Sequence, residues 1–454
     1  MSSRTENHKE QYFQQLTKAI EREQVEFFRK VFLVLHPYDQ ATFFLSQDEV
    51  VRMLIYSYLS PREITGVFEN IEVDERGKFF DEMVPQYAAD MLAAMYVDDA
   101  VDVLNTLDSE KVASYLTIMD QEAAAEIKGL LHYEEKTAGS IMTTEFVSIS
   151  ASQSVRNAMR ELRKKAPDAE TIYYIFVIDD DKKLVGVISL RDLIIAEGDD
   201  PISKHMNPRV VSVSAAEDQE TVAQLMRDYD FLALPVVDYQ GHLLGIITHD
   251  DIVDVIDEEA SDDYSKFAAI SDVDTIDHNP FSAAKKRLPW LIVLLFLGMM
   301  TASLIGLFED TLSNVAILAV FMPLIAGMAG NTGTQSLAVV IRGIATGEYG
   351  EESKWRLIMR EAGTGLITGA TCGLLIVAVV FVWQQSLFLG LLVGFSLFCT
   401  LIVATVAGAV IPLLMQKLNI DPAVASGPFI QTLNDIISVL IYFGLATAFM
   451  SYLL

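Results

Sequence analysis

Asp435 stands alone in an otherwise uncharged run from Pro422 to Leu454. A carboxylate at membrane depth is costly, and residues of this kind line ion pathways or relay protons. It follows Ser426-Gly427-Pro428 by about two helical turns, and Pro428 is expected to kink the span and free carbonyls on the preceding turn. A second candidate pore segment runs Pro323-Leu-Ile-Ala-Gly327-Met-Ala-Gly330-Asn331-Thr-Gly333-Thr-Gln335. Its proline and glycines expose backbone that can face a water-filled path. Glycines alone read equally well as close helix packing, but Asn331, Thr334 and Gln335 are expensive to place against lipid.

A different chemistry is written between Asp250 and Asp277, where eleven acidic residues accompany one base, Lys266. Asp251, Asp254, Asp257, Glu258, Glu259, Asp262 and Asp263 recur at three- and four-residue intervals, so carboxylates share helix faces and repel. Two carboxylates ~5 Å apart at an effective dielectric of ~20 cost roughly 3 kcal/mol. The run reads either as a solvated linker or as a ligand set for a hard divalent cation. Mg²⁺ suits it, because it takes oxygen ligands and keeps much of its water.

Two β-rich strand pairs, Thr171–Ile178 with Gly186–Ser189 and Phe231–Val237 with Gly245–Thr248, each end in Gly-x-x-Ser/Thr-x-x-Asp. This tandem unit of about 60 residues resembles a pair of CBS domains. The resemblance implies that Ser189, Asp192, Thr248 and Asp251 lie near a site for ATP or another adenine nucleotide. The same residues read alone as caps of the helices that follow.

These residues need elements to hold them, and composition separates two kinds. The chain has 454 residues, about three times what one domain typically needs, with a net charge of −29 and 51% hydrophobic residues. Residues 281–454 carry 8 basic and 8 acidic side chains, so the first 280, with 25 basic and 54 acidic, hold the entire −29. No basic block provides the footprint that nucleic acid requires. Cys372 and Cys399, the only cysteines, lie in apolar stretches, which excludes a disulfide framework or zinc cluster. No signal peptide pattern opens the chain, and no P-loop, nucleophile constellation or metal-hydrolase spacing points to an enzyme.

Uncharged runs at Leu288–Phe308, Val315–Ile341 and Ala362–Gln416, and the run Pro422–Leu454 whose one charge is Asp435, provide five spans of the ~20 residues a bilayer requires, with Trp383–Ser386 dividing the third run. All eight basic residues of this half fall on one side of those spans, so the acidic part is expected in the cytoplasm and the C-terminus outside. Five spans are few for a pore and gate, which favours a homodimer in the lipid bilayer.

From His36 to Tyr133, Ser60-Pro61-Arg62-Glu63, Asp98-Asp99, Asp108-Ser109-Glu110 and Asp120-Gln121-Glu122 each open an apolar-periodic run. They are helix starts spaced as in a small helical solenoid. This order of modules, with the Pro323–Gln335 and Asp421–Asp435 motifs, resembles the MgtE family of magnesium channels over residues 36–454. The resemblance implies a multidomain membrane protein. It has an all-α transmembrane domain of five helices per chain, a cytosolic α-helical superhelical N-domain and an α+β tandem CBS pair.

The implied boundaries are a helical extension at 1–35, the N-domain at 36–134, CBS domains at 135–200 and 201–262, a connecting helix at 263–284 and the membrane domain at 285–454. By the same resemblance Asp435 holds hydrated Mg²⁺ in a pore on the two-fold axis, aided by backbone near Gly427 and Gln431. Asp98, Asp102, Asp218, Glu220, Asp230, Asp251, Asp254, Glu259, Asp262 and Asp263 form the cytosolic Mg²⁺ sensor. The function implied is Mg²⁺ uptake through a channel closed by cytosolic Mg²⁺. The rival readings are an ion-coupled carrier and a membrane-anchored nucleotide sensor.

Overall fold

The computed structural model describes residues 2–270, 280–346, 354–418 and 420–452, and the chain divides into two units, Met1–Val255 and Ile256–Leu454. The first opens with helices α1 (Ser2–Glu21), α2 (Val25–Phe32), α3 (Pro37–Leu45), α4 (Glu49–Tyr58), α5 (Pro61–Glu69), α6 (Val73–Phe79), α7 (Pro85–Leu92), α8 (Val97–Asn105), α9 (Ser109–Ile118) and α10 (Gln121–Leu130). From α3 onward a helix starts every 12 residues, at 37, 49, 61, 73, 85, 97, 109 and 121. Every second start through α7 carries proline, whose fixed φ and missing N–H suit the first helical position.

The core follows the same period. Phe32, Phe44, Tyr56, Phe68, Phe80, Leu92 and Leu104 are all buried, and ring centroids lie 5.7 Å apart for Phe44–Tyr56 and 5.8 Å apart for both Phe44–Phe68 and Phe68–Phe80. From α2 to α8 the repeat thus buries one large apolar side chain every 12 residues against its neighbours, as a stacked repeat requires. The expected starts differ in how they are capped. Ser60 and Glu63 form a capping box, and Asp120 accepts the Glu122 N–H, whereas Asp108 sits at its N-cap without a side-chain bond. Asp98 and Asp99 lie inside the first turn of α8, behind Tyr96.

Two similar units follow. β1 (Ser148–Ser150), α11 (Val155–Lys165), β2 (Tyr174–Ile178), β3 (Leu184–Ser189) and α12 (Leu190–Ile195) are matched by β4 (Val213–Ser214), α13 (Gln219–Tyr229), β5 (Ala233–Val237), β6 (Leu243–Thr248) and α14 (His249–Phe267). In each sheet the first strand pairs parallel and the last antiparallel to the middle one, with Phe176 opposite Val187 and Leu234 opposite Ile247. The hairpin turns are built alike. Asp179 Oδ1 accepts the N–H groups of Asp181 and Lys183, and Asp238 Oδ1 those of Gln240 and His242. Residues 137–143 bridge to Asp218 and Ile246 of the second unit, and the solenoid core runs on into Val222, Leu234, Ile247 and Ile252.

Ile256–Leu454 contains α15 (Pro280–Gly306), α16 (Glu309–Asn314), α17 (Leu318–Ala345), α18 (Lys354–Gln384), α19 (Leu387–Lys417) and α20 (Gly427–Ala448). All but α16 are long and apolar enough to cross a membrane. The expected division of the third apolar run occurs at Gln385, whose φ of 51° ends α18. One expectation is corrected. Pro428 does not kink a helix, because α20 begins at Gly427: Ser426 caps it through the Phe429 N–H, and Pro428 occupies the first turn, where no N–H is needed. Pro323 lies within the continuous α17. Of the expected connecting helix at 263–284, residues 271–279 lie outside the described residues.

Candidate functional site

Three acids far apart in sequence converge in the first unit. Asp98 is in the first turn of α8, Glu170 in the loop between α11 and β2, and Asp251 in the first turn of α14. One carboxylate oxygen from each lies within 4.8 Å of the others. The solenoid repeat sets the first position, and the strand-to-helix turn after β6 sets the third. Glu170 is held by backbone, its N–H donating to Glu145 O at 2.9 Å.

The electrostatics are unfavourable for bare carboxylates. Asp98 is buried, and its Oδ1 and Glu170 Oε2 have no hydrogen-bond partner among the described residues. Burial, reinforced by Asp251, holds Asp98 well above the usual carboxylate range. Burial and then the Asp251 charge push Glu170 up to about 8. Asp251 rises to about 6 by burial, opposed by the bond from Thr248 Oγ1. Beside them Asp99 is raised by burial but answered by Arg76 at 2.9 Å, and Glu69 is pushed to about 7 by burial and by Asp99. Buried acids with unpartnered oxygens demand either protons or a cation. Three carboxylates from separate segments can give a hard divalent ion part of its oxygen shell, with water completing it.

The other expected sensor residues are arranged differently. Asp102 is half-buried one turn beyond Asp98 on α8, outside the converging set. Asp218 caps α13 by accepting the Glu220 and Thr221 N–H groups, while Asp230 closes the other end of that helix at a φ of 53°. Eleven residues at 1.5 Å each put Asp230 ~16 Å from Glu220 and Asp218, so one chain does not bring these three together. Asp254 is exposed on α14, and Glu259, Asp262 and Asp263 are half-buried nearer its end. Asp263 rises to about 6 through burial and the charge of Asp421. Lys266 lies 2.6 Å from Asp421 Oδ2 and 3.6 Å from Asp262.

Both hydroxyl–carboxylate pairs of the tandem units are engaged locally. Ser189 caps α12, accepting the Asp192 N–H at 3.1 Å and donating to Asp192 Oδ2 at 2.6 Å. Thr248 donates to Asp251 in the same way. In the membrane half, Gly427, Gln431 and Asp435 fall four residues apart along α20, a single stripe ~12 Å long. Gly427 is buried, Asp435 half-buried and Gln431 exposed. Glu170 is the ligand candidate that sequence reasoning missed: it lies in a loop, two residues after Asp168, with no motif around it.

The module models agree with this arrangement. Residues 35–136 match the MgtE intracellular N domain, 138–199 and 202–258 the CBS domain, and 322–445 the MgtE divalent cation transporter model. The chain belongs to the MgtE family. It is 55% identical to the magnesium transporter MgtE of Enterococcus faecalis over 98% of both chains. Identity to the Bacillus subtilis MgtE is 44%, over 93% of this chain and 94% of that one.

Among solved structures, the soluble part of a magnesium transporter shares 54% identity at a TM-score of 0.54, covering 56% of this chain and 99% of that one. The cytosolic domain of the Mg²⁺ channel MgtE in complex with ATP shares 36% identity at a TM-score of 0.51, covering 54% and 99%. The expected fold stands: a helical N-domain, a CBS pair with mixed sheets and five apolar C-terminal helices. Membership in MgtE places the chain among membrane transporters.

Proposed function

We propose that this MgtE chain forms a homodimeric Mg²⁺-selective channel in the cell membrane, mediating magnesium uptake and closing when cytosolic Mg²⁺ fills its acidic sites. The observation that carries the gating reading is the convergence of Asp98, Glu170 and Asp251 with two buried, unpartnered oxygens. An ion there ties α8, a CBS loop and α14 together, and without it the three acids stay together only by taking up protons. Asp102, Asp218, Glu220, Asp230, Asp254, Glu259, Asp262 and Asp263 extend the sensor toward and along α14, several of them suited to sites completed by a second chain.

At the membrane end, the last turn of α14 meets the start of α20. Lys266 pairs with Asp421, and Phe267 lies close enough that a Cβ at Gly427 would stand 3.5 Å from its carbonyl oxygen. That contact supports a closing role for α14 at the foot of the Gly427–Gln431–Asp435 stripe. Exposed amides at Asn331, Gln335 and Gln431 support a second copy or a water path beside α17 and α20, because lipid would leave them unsatisfied. The similarity to magnesium transporters supports Mg²⁺ as the permeant ion. The acidic half then lies in the cytoplasm and the C-terminus outside. An adenine nucleotide at the CBS pair is a second ligand reading, supported by the relative's ATP complex.

Recording from reconstituted protein while Mg²⁺ is titrated on the cytosolic side tests this reading. Unitary currents that fade as Mg²⁺ rises, and that Asp435→Asn reduces at least tenfold, are expected. Fixed-stoichiometry coupling to protons or Na⁺ would establish a carrier instead, and nucleotide binding without flux a sensor.

A further inference from the structure

α17 and α20 pack antiparallel through a sequence of matched positions: Thr334 against Gly427, Gly333 against Ile430 and Asn434, and Gly330 against Gln431. The match at Gly333 is the tightest. A Cβ built there would stand 1.9 Å from Asn434 Nδ2, so the carboxamide occupies the volume that a side chain at 333 would fill. Asn434 is fully buried, its Nδ2 lies 3.5 Å from the Ala329 carbonyl oxygen on α17, and its Oδ1 has no partner among the described residues. Two turns further along α20, the Tyr442 hydroxyl donates to Leu318 O of the same helix at 3.0 Å. An amide with one weak bond and one orphaned oxygen is a poor choice for packing alone, since an apolar side chain would fill the same hole without an unmet acceptor.

We infer that Asn434 and Gly333 form a key and slot that set the rotation of α20, and that Asn434 is thereby a positioning residue for the adjacent Asp435. The inference rests on the pore reading of Asp435 given above. A helix is ~10–12 Å across with its side chains, so ~20° of rotation carries a side-chain tip about 2 Å. That is as large as the difference between water-mediated and lost contact with an ion. The slot blocks such rotation because the carboxamide cannot leave Gly333 without meeting the walls beside it. Gly330, which receives Gln431 one turn earlier (a Cβ there would stand 2.6 Å from Gln431 Cγ), repeats the device and keeps the stripe in one orientation.

The test reads position 435 directly. Asp435→Cys is placed in full-length protein carrying Cys372→Ser and Cys399→Ala, and its modification by a water-soluble thiosulfonate is timed in vesicles. Gly333→Ala is expected to change the rate at least fivefold, and Gly333→Ala with Asn434→Ala to bring it back within twofold, because the smaller key fits the smaller slot. An unchanged rate in Gly333→Ala, or a double variant as altered as the single one, overturns the inference. Should Gly333→Ala fail to reach the membrane, Asn434→Gln reports the same joint: its extra methylene has no room, so a parental rate there also overturns it. A parent Asp435→Cys that does not react at all refutes the pore reading, and this role with it.

Discussion

Glu170 and Asp251 titrate in the folded protein at about 8 and about 6, against ~4.3 and ~3.9 for the free side chains. Between those limits the folded state holds protons that the unfolded state has released, so stability falls as pH rises from about 4 to about 8 and levels off above. Full-length protein in chelator is therefore expected to lose thermal stability from pH 5 to 8, and saturating Mg²⁺ should abolish the loss by replacing the protons. Glu170→Gln should flatten the ion-free pH profile and remove much of the Mg²⁺-dependent stabilisation, on the order of 1–3 kcal/mol for a buried unmet carboxylate. Scanning calorimetry at several pH values with and without Mg²⁺ checks both. Asp98 was named as a ligand through the family resemblance, and Asp251 through that resemblance and the acidic spacing of its helix. Glu170 was not, since its role depends on which loop the β1–α11–β2 connection brings over α8, a long-range consequence that no local pattern encodes.

At the level of elements, the Lys266–Asp421 pair joins the end of α14 to the turn before α20. Both side chains are about a third exposed, so the pair is worth about 0–1 kcal/mol, up to roughly fivefold in a closed-to-open ratio. Lys266→Glu, which turns attraction into repulsion, is expected to raise current at inhibitory cytosolic Mg²⁺ several-fold. Lys266→Asp with Asp421→Lys should return it toward the parent level; single-channel open probability makes the comparison, and a double variant as active as Lys266→Glu would remove the pair from gating. Element boundaries were legible where a cap or an uncharged run marked them, as at Ser60-Pro61 and Trp383–Ser386. Pro428 was misread because proline signals both a kink and a first turn. Only the Ser426 cap, seen in the geometry, separates the two.

For the molecule as a whole, all −29 net charges lie in the first 280 residues, and the gating proposed above predicts that divalent cation compacts that part. Limited trypsin digestion of the full chain should slow as Mg²⁺ rises from micromolar to ~10 mM, with cleavage between the modules suppressed most. An unchanged pattern would separate the acidity from any compaction. The membrane half makes a complementary statement, since α15 has no buried residue in a single chain and depends on lipid or a second copy for its surroundings. Module order, charge partition and the number of long apolar helices could all be read from the sequence because they are sums over many residues. The site between modules could not, being set by how those sums are folded together.

The 12-residue beat of the solenoid turns the N-domain into a ruler. Whole helix pairs can be gained or lost ahead of Pro85 with every remaining proline and every remaining rung of the Phe/Tyr/Leu ladder still in phase, and with Asp98 undisturbed. Removing the two 12-residue beats that begin at Ser109 and Gln121 keeps the beat equally well, yet shortens the ruler on the side that connects Asp98 to Asp251. Length variation among such chains should accumulate on the near side of α8 and be absent from the far side.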